Sequence, residues 1–389
     1  MTSIISDKEA KTIPLSEPEI SGNEWEYVKE CLDSGWVSSV GDYVERFEKV
    51  VADYVGVKYA VAVVNGTSAL HLSLLASGIK DNDEVIIPTL TFVAPANVIK
   101  YCGAHPVFMD SEEDTLCVDV SKVVEFLSNE CESVNGDTYN KKTKRRVKAI
   151  IPVHIFGHPA DMDVLVEISE KYNLDIVEDA TESLGTEYKS RKTGTFGIVG
   201  CFSYNGNKII TTGGGGMVVT NDKGLAGKIR YLSTQAKDGS FEYEHSEIGY
   251  NYRLTNIQAA LGVAQMERLE GFIAKKRESA ALFENYFAEI DEVDFVFEKG
   301  YAKSNYWMNT IKVRKRDKNA LMKYLLSKNI QVRPIWKLIH TLPMYKDCRA
   351  YSIEKAINAY DTCINIPCNI KLDQPQIKYI TTMIKEYYS

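Results

Sequence analysis

The chain has few of the patterns that mark metal, redox and membrane proteins. Its eight cysteines form no Cys-x-x-Cys pair, and its six histidines show no His-Glu-x-x-His or similar metal spacing. No apolar run approaches the roughly 18 residues that a membrane helix needs, and residues 1–12 lack the apolar core of a signal peptide. Unpaired cysteines are typical of a reducing compartment. We therefore expect a cytoplasmic protein with no metal and no membrane association.

The charge of the chain also disfavours nucleic-acid binding. The formal net charge is −7, whereas a nucleic-acid footprint is basic. The one basic cluster, residues 141–146, lies beside Glu130, Glu132 and the turn-like residues 135–137. We interpret it as a solvated loop or hairpin in the large domain, with nucleic-acid binding as the alternative.

The alternation of short apolar runs with helical patterns predicts an α/β fold. From residue 59 onward this alternation favours a large, mostly parallel sheet with helices on both faces. The clearest strands are residues 85–88, 106–109, 149–153 and 174–177. A long helical stretch, 255–287, precedes a candidate strand, helix and strand at 306–313, 319–328 and 330–333. We expect a large domain over 1–255, with helices near 21–34 and 40–55, and a smaller α+β domain over 256–389.

Lys208 is the most informative single residue. It follows a predicted buried strand, 199–204, and precedes four glycines at 213–216. A rigid strand holds a lysine on a loop, which suits a nucleophile that forms Schiff bases with carbonyl compounds. A solvated loop lysine is the alternative. No Gly-x-Gly-x-x-Gly follows a strand, which argues against a nicotinamide-dependent oxidoreductase.

Two other strand ends carry polar residues. The strand at 174–177 runs into Glu178 and Asp179, and residues 59–64 are followed by a tight turn with Thr67 and Ser68. Ligands of open parallel sheets bind outside the carboxyl ends of strands, and a helix N-terminus binds phosphate. The alternatives are a helix-capping Asp and an ordinary N-cap.

In this order the three strand ends resemble fold-type I enzymes that use pyridoxal 5′-phosphate (PLP). Gly-Asn-Lys at 206–208, Thr-Thr-Gly at 211–213, Gly-Tyr-Asn-Tyr-Arg at 249–253 and Gln-Ala-Ala at 258–260 resemble the DegT/DnrJ/EryC1/StrS family of nucleotide-sugar aminotransferases. The resemblance runs from residue 35 to 334. It implies a fold-type I architecture and PLP as cofactor.

The resemblance also implies roles for individual residues. Lys208 and Asp179 are catalytic: Lys208 holds PLP and shuttles protons, and Asp179 stabilises the ring nitrogen. The implied cofactor-binding residues are Gly66, Thr67, Ser68, Phe92, Asp179, Glu182, Ser203, Lys208 and Asn251. The implied substrate-binding residues are Trp36, Ser38, Ser39, Arg333, Trp336, His340 and Tyr345.

Some of these assignments have structural alternatives. Phe92 could be a core residue, Asn251 a turn residue, and residues 333–345 packing of the small domain. On the family interpretation, Asn251 reaches the neighbouring subunit's PLP, so we expect a homodimer with shared sites.

Two departures from the family pattern stand out. Relatives often carry Thr-Thr-Gly-Glu-Gly-Gly, but residues 211–216 lack the Glu. Glu182 stands where many relatives have Gln or His, and a carboxylate beside the PLP phenolate is repelled unless protonated or paired.

The resemblance extends to the acceptor. Residues 35–41, the basic insert near Lys141 and residues 333–338 look most like members that make 4-amino sugars for legionaminic-type acids. We therefore expect a UDP-linked, N-acetylated 4-keto-6-deoxy sugar as acceptor and L-glutamate as donor. The alternatives are a 3-keto sugar aminotransferase, a PLP-dependent sugar dehydratase and a non-catalytic PLP-fold regulator. Lys208 argues against the dehydratase, whose lysine is replaced by histidine, and the retained Lys208 and Asp179 argue against the regulator.

Overall fold

A computed structural model describes residues 12–239 and 242–389, so the prediction for residues 1–12 falls almost wholly outside the described residues. The helices are α1 Glu24–Ser34, α2 Asp42–Val55, α3 Gly66–Ala76, α4 Ala94–Tyr101, α5 Val120–Glu130, α6 Met162–Tyr172, α7 Lys223–Ser233, α8 Asn256–Met266, α9 Leu269–Phe287, α10 Lys318–Ser327, α11 Lys355–Thr362 and α12 Gln374–Tyr388. Short 3₁₀ turns cover Ile155–Gly157, Ile339–Thr341 and Pro343–Tyr345. None of the helices in the described ranges is long and apolar enough to cross a bilayer.

The strands are β1 Tyr59–Val63, β2 Glu84–Pro88, β3 His105–Met109, β4 Cys131–Val134, β5 Asp137–Asn140, β6 Arg146–Ile150, β7 Asp175–Asp179, β8 Glu187–Tyr188, β9 Arg191–Lys192, β10 Val199–Ser203, β11 Gly216–Thr220, β12 Lys237–Asp238, β13 Glu244–His245, β14 Val293–Phe295, β15 Ala302–Lys303, β16 Asn309–Val313, β17 Arg333–Pro334, β18 Arg349–Tyr351 and β19 Cys363–Ile366.

The large sheet confirms the predicted α/β architecture. Its order is β1-β11-β10-β7-β6-β2-β3-β18. Neighbours from β10 to β18 are parallel, whereas β11 is antiparallel to both β1 and β10. The hairpin β4–β5 adds to β6 in antiparallel fashion, so the predicted basic insert is the turn between β5 and β6.

Helices cover both faces of this sheet. Successive side chains of a strand face opposite sides, so Ile86 packs in one core with residues of α5 and α6. Val85 and Ile87 pack in the opposite core with residues of α3 and α4. Strands buried on both faces are apolar throughout, which is why the sequence shows them as continuous apolar runs.

A second sheet, β14-β16-β19-β17, packs with α9, α10 and α12 around a separate core. Two segments cross the boundary that we expected at 255/256, which stays a prediction. Ile13 pairs with Ile330 beside the second sheet, and β18 joins the large sheet next to β3.

Two helix and strand predictions need correction. The single helix expected over 255–287 is two helices, α8 and α9, interrupted at Glu267 and Arg268. Of residues 330–333, only Arg333 lies in a strand, the two-residue β17, whereas Ile330 forms an isolated bridge to Ile13.

Candidate active site

One cavity collects most of the residues that the sequence singled out. It encloses about 470 Å³ at the carboxyl ends of β1, β2, β7 and β10, where ligands of such sheets bind. The predicted residues in its lining are Gly66, Thr67, Phe92, Asp179, Glu182, Ser203, Lys208, Arg333 and Trp336.

Lys208 is held in the cavity by the loop after β10. The neighbouring side chains Tyr204, Ile209 and Ile210 are buried and anchor this loop. The Lys208 Nζ lies 4.0 Å from the centre of the Trp307 ring, a favourable cation–π position. Trp307 also donates from Nε1 to the Asn207 carbonyl at 2.7 Å, so one indole contacts both the loop and its lysine.

The two carboxylates at the end of β7 have different surroundings. Glu178 is fully buried, and each of its oxygens accepts two hydrogen bonds. Oε2 accepts from Gly194 N–H at 2.7 Å and His154 Nε2 at 3.0 Å, and Oε1 accepts from the N–H groups of Phe196 and Gly197. Protein groups therefore supply all four hydrogen bonds to Glu178, and three of these bonds hold the loop before β10.

Asp179 instead faces the cavity. It is 3% exposed and accepts a main-chain hydrogen bond from Thr181 at 3.1 Å. Burial raises the pKa of its carboxyl, although the bonds from Thr181 and the charge of Lys208 oppose that rise. A buried anion of this kind is stabilised by a cationic ligand group.

Glu182 is the second buried carboxylate in the cavity. Its Oε1 lies 3.6 Å from Lys208 Nζ, and its Oε2 accepts the Phe156 N–H at 2.8 Å. Burial raises the pKa of Glu182 to about 7, against the lowering effect of Lys208. Phe156 has a φ of 56°, a left-handed conformation that costs free energy in a bulky residue. The donor to Glu182 is thus held in a strained turn, as is common at functional sites.

Aromatic rings form the outer wall. Phe92 is 54% exposed, which excludes the alternative that it is a core residue. Its ring meets Trp336 edge to face at 5.9 Å, and Trp336 lies 5.0 Å from Phe156. Arg333 is exposed on the same rim.

His340 and Tyr345 do not line the cavity. After Trp336 the chain forms two 3₁₀ turns that pack on the large domain. Tyr345 is buried against Phe108 and hydrogen bonds to Asn97. His340 Nδ1 lies 2.6 Å from Thr89 Oγ1. The expectation that these two residues contact substrate is therefore not supported, because the packing alternative describes them.

Five other predicted residues also lie outside the lining. Trp36, Ser38 and Asn251 are exposed, Ser39 is half-buried, and Ser68 is buried within α3. Trp36 borders a second cavity of about 360 Å³.

Sequence reasoning missed several residues of the lining. Thr181, Trp307 and Asn365 are examples. Thr181 could have been found from its position two residues after Asp179. Trp307 comes from the loop before β16 and Asn365 from β19, and neither carries a local signal.

Comparison with known proteins identifies the family. The model of the DegT/DnrJ/EryC1/StrS aminotransferase family matches residues 18–385.

This chain belongs to that family.

Individual relatives support this family assignment. It is 42% identical to a GDP-perosamine synthase of Escherichia coli O157:H7, over 97% of this chain and 99% of that one. It is 41% identical to EpsN, a putative pyridoxal phosphate-dependent aminotransferase of Bacillus subtilis, over 88% and 86% of the two chains. Helicobacter pylori PseC, an aminotransferase involved in pseudoaminic acid biosynthesis, superposes with a TM-score of 0.87 at 26% identity, covering 97% of this chain and 99% of that one. The chain is a PLP-dependent sugar aminotransferase.

The cavity of this aminotransferase fits PLP. Helix α3 begins in the cavity, where Asn65 caps it by accepting the Ser68 N–H at 2.7 Å. A Cβ at Gly66 would lie 2.8 Å from the Ser203 Cβ, so glycine lets the start of α3 approach the end of β10 closely, and Thr67 and Ser203 line the same cavity. Free main-chain N–H groups, Thr67 and Ser203 suit a phosphate. Asp179 offers the buried anion that a pyridinium nitrogen needs.

Proposed function

We propose that the enzyme transfers the amino group of L-glutamate to the C4 carbon of a nucleotide-linked 4-keto-6-deoxy sugar. The observation that carries the proposal is that one cavity contains Lys208 and Asp179 at its floor and Arg333 and Trp336 at its rim. In such a cavity the amino group can be transferred at the floor while the rest of a large acceptor extends to the rim. The relatives named GDP-perosamine synthase support a nucleotide-linked sugar as the acceptor, and amination at C4 rests on the family resemblance of the sequence.

Each residue has a distinct part in this proposal. When bound, PLP supplies an electron-withdrawing ring that carries the amino group between the two substrates. Asp179 keeps the ring nitrogen protonated, and Thr67, Ser203 and the N-terminus of α3 hold the phosphate. Lys208 forms the covalent link and, once displaced, moves a proton to or from the reacting substrate carbon.

The rim suits the nucleotide-linked acceptor and the donor. The exposed guanidinium of Arg333 can pair with a diphosphate or with the donor carboxylate, because both match its fork geometry. Trp336 and Phe92 offer aromatic faces and edges to a sugar or base.

The test of the catalytic assignment is Lys208→Ala. We expect the variant to fold and to bind cofactor noncovalently, but to lose transamination. Normal turnover by this variant would refute the assignment. The surface variant Asn221→Ala, at the opposite end of β11 from the cavity, serves as a control for expression and purification.

We further propose a homodimer in which both subunits contribute to each site. Asn251 is exposed beside the paired residue Thr234, and Trp36 and Ser38 are exposed on the surface near the second cavity. These residues would then contact the partner's cofactor and substrate rather than those of their own chain. Mixing inactive Lys208→Ala with inactive Asn251→Ala subunits should restore part of the activity. A lack of recovery after confirmed subunit exchange would remove the shared-site proposal.

For the nucleotide we propose UDP, with an N-acetyl group on the sugar, from the resemblance to legionaminic-type enzymes. GDP is the second candidate, because relatives at 42%, 37% and 38% identity are named GDP-perosamine synthase. A relative at 41% carries a name that specifies no nucleotide.

The experiment is a panel of UDP-, GDP- and dTDP-linked 4-keto and 3-keto sugars with L-glutamate. Highest kcat/KM with a GDP-linked, non-acetylated sugar would overturn the UDP proposal. Highest kcat/KM with a 3-keto sugar would overturn the regiochemistry while leaving the aminotransferase activity intact.

A further inference from the structure

Glu182 is positioned to exchange a proton with Lys208. The distance from its Oε1 to Lys208 Nζ is 3.6 Å, and the Glu182 side chain is 3% exposed. Among residues 12–239 and 242–389, Glu182 is the only residue whose carboxylate forms an ion pair with Lys208. The opposite oxygen, Oε2, accepts the Phe156 N–H, which leaves Oε1 free to receive a proton.

The ionisation of Glu182 responds to the charge of Lys208 as well as to burial. The titratable groups that face it are Lys208 and Asp179: the lysine charge lowers the pKa of Glu182, and the Asp179 charge raises it. Burial is the largest influence, and the resulting pKa is about 7. Loss of the lysine charge therefore raises the pKa further and favours the neutral acid at neutral pH.

We propose that Glu182 accepts the proton that Lys208 gives up when its Nζ becomes bound to the aldehyde carbon of PLP, and returns it when Lys208 is released. The inference rests on the proposed role of Lys208.

The atoms and charges of the step balance. The ammonium of Lys208 gives one proton to the Glu182 carboxylate, and the neutral amine attacks the aldehyde carbon. The two remaining amine hydrogens leave with the aldehyde oxygen as water, and a carbon–nitrogen double bond forms. One ion pair is thereby converted into a neutral acid and a neutral nitrogen, so the step separates no charge and leaves the net charge of the cavity unchanged.

Asp179 is less suited to this role. Its carboxylate accepts the Thr181 N–H and is assigned to the ring nitrogen. An amide at position 182 would occupy the same space and could accept the Phe156 N–H, but it could not take up a proton. Glu182→Gln is therefore a variant that removes the proposed function with the least change in shape.

The test is an infrared difference spectrum of the PLP-loaded minus the cofactor-free protein. We expect a new carboxylic-acid C=O band in the wild type, because Glu182 becomes protonated on loading. Below a pH of about 7 the acid is already protonated in the cofactor-free protein, so the difference band should grow as the pH rises through this value. The band should vanish in Glu182→Gln and persist in Glu84→Gln, a matched buried glutamate outside the cavity.

Isotope labelling keeps the test decisive if Glu182→Gln folds or loads poorly. Carboxyl-¹³C glutamate in the wild-type protein should shift the band, and carboxyl-¹³C aspartate should not. Glu182 is the one glutamate among the described residues that line the cavity.

Borohydride reduction and peptide mapping then separate the possible failures. If PLP is attached to Lys208 but no carboxylic-acid band appears, or the band responds to aspartate labelling, Glu182 is not the proton acceptor. If PLP is attached elsewhere, the role of Lys208 fails and this inference fails with it.

Discussion

The adjacent carboxylates Glu178 and Asp179 should respond in opposite ways to loss of charge. Glu178→Gln replaces one carboxylate oxygen with an NH₂ group. Each oxygen of Glu178 accepts two hydrogen bonds, so two buried donors would face another donor. Asp179→Asn can retain the hydrogen bond from the Thr181 N–H. It removes the charge of a buried carboxyl group, and burial already raises the pKa of that group.

The size of the first effect follows from these contacts. A buried donor without an acceptor costs about 1–3 kcal/mol, so two of them cost about 2–6 kcal/mol. For domains of about 150–250 residues, 1 kcal/mol corresponds to roughly 2–4 °C in melting temperature. Glu178→Gln should therefore lower the melting temperature of the cofactor-free protein by at least about 4 °C. Asp179→Asn should leave it unchanged or raise it.

The assay is thermal unfolding of both variants with and without PLP. A ligand that binds the native state raises the melting temperature according to its affinity. Asp179→Asn should lose most of the rise that PLP produces, because the partner of the ring nitrogen is gone. The reasoning would be refuted if Glu178→Gln melted like the wild type, or if Asp179→Asn kept the full PLP-dependent rise.

Three further predictions concern the cavity and its support. Gly66→Ala should weaken PLP binding at least tenfold and lower the cofactor-free stability by about 1–3 kcal/mol, because its Cβ would lie 2.8 Å from the Ser203 Cβ and displace two of the residues that hold the phosphate; titration by absorbance and thermal unfolding check this, and wild-type affinity would contradict it. Trp307→Phe loses the bond to the Asn207 carbonyl and should speed amide hydrogen exchange in the loop around Asn207, whereas unchanged exchange would show that the indole does not hold that loop. Lys276 is buried, donates to the Trp307 and Cys368 carbonyls, and has a pKa that burial lowers from 10.5. The unfolded chain therefore binds the extra proton, so the stability of the wild type relative to Lys276→Met should increase as the pH rises toward 10.5, and a constant difference in melting temperature would argue against it.

Much of the floor of the cavity could be predicted from sequence, because it is built from strand ends. Lys208, Asp179 and Gly66 each follow an apolar run by a few residues, and parallel strands bring such ends together. The pattern of apolar runs could not show which of the adjacent residues Glu178 and Asp179 faces the cavity. Glu178 is withdrawn from the cavity by the returning loop at 194–197, a contact that no local pattern encodes.

The rim was harder to predict because it comes from distant parts of the chain. Trp307 lies 100 residues from its partner Asn207. The segment after Trp336 mixes apolar residues with His340 and Tyr345, and such a sequence fits a cleft or a core equally well, so the sequence could not show that these two residues lie outside the cavity lining. The break between α8 and α9 contains neither glycine nor proline at Glu267 and Arg268, so the helical pattern continues across it.

The path of the chain between the two sheets has a mechanical consequence. Ile13 forms a bridge beside the second sheet, and the chain then enters the large domain at α1. After α8, helix α9 returns the chain to the second sheet. The chain then leaves β17 to place β18 at the edge of the large sheet, and returns to β19. Because four segments of backbone connect the two sheets, the two parts cannot rotate about a single hinge. We therefore expect the cavity to open by small bending of these connections and not by rotation of one part as a rigid body.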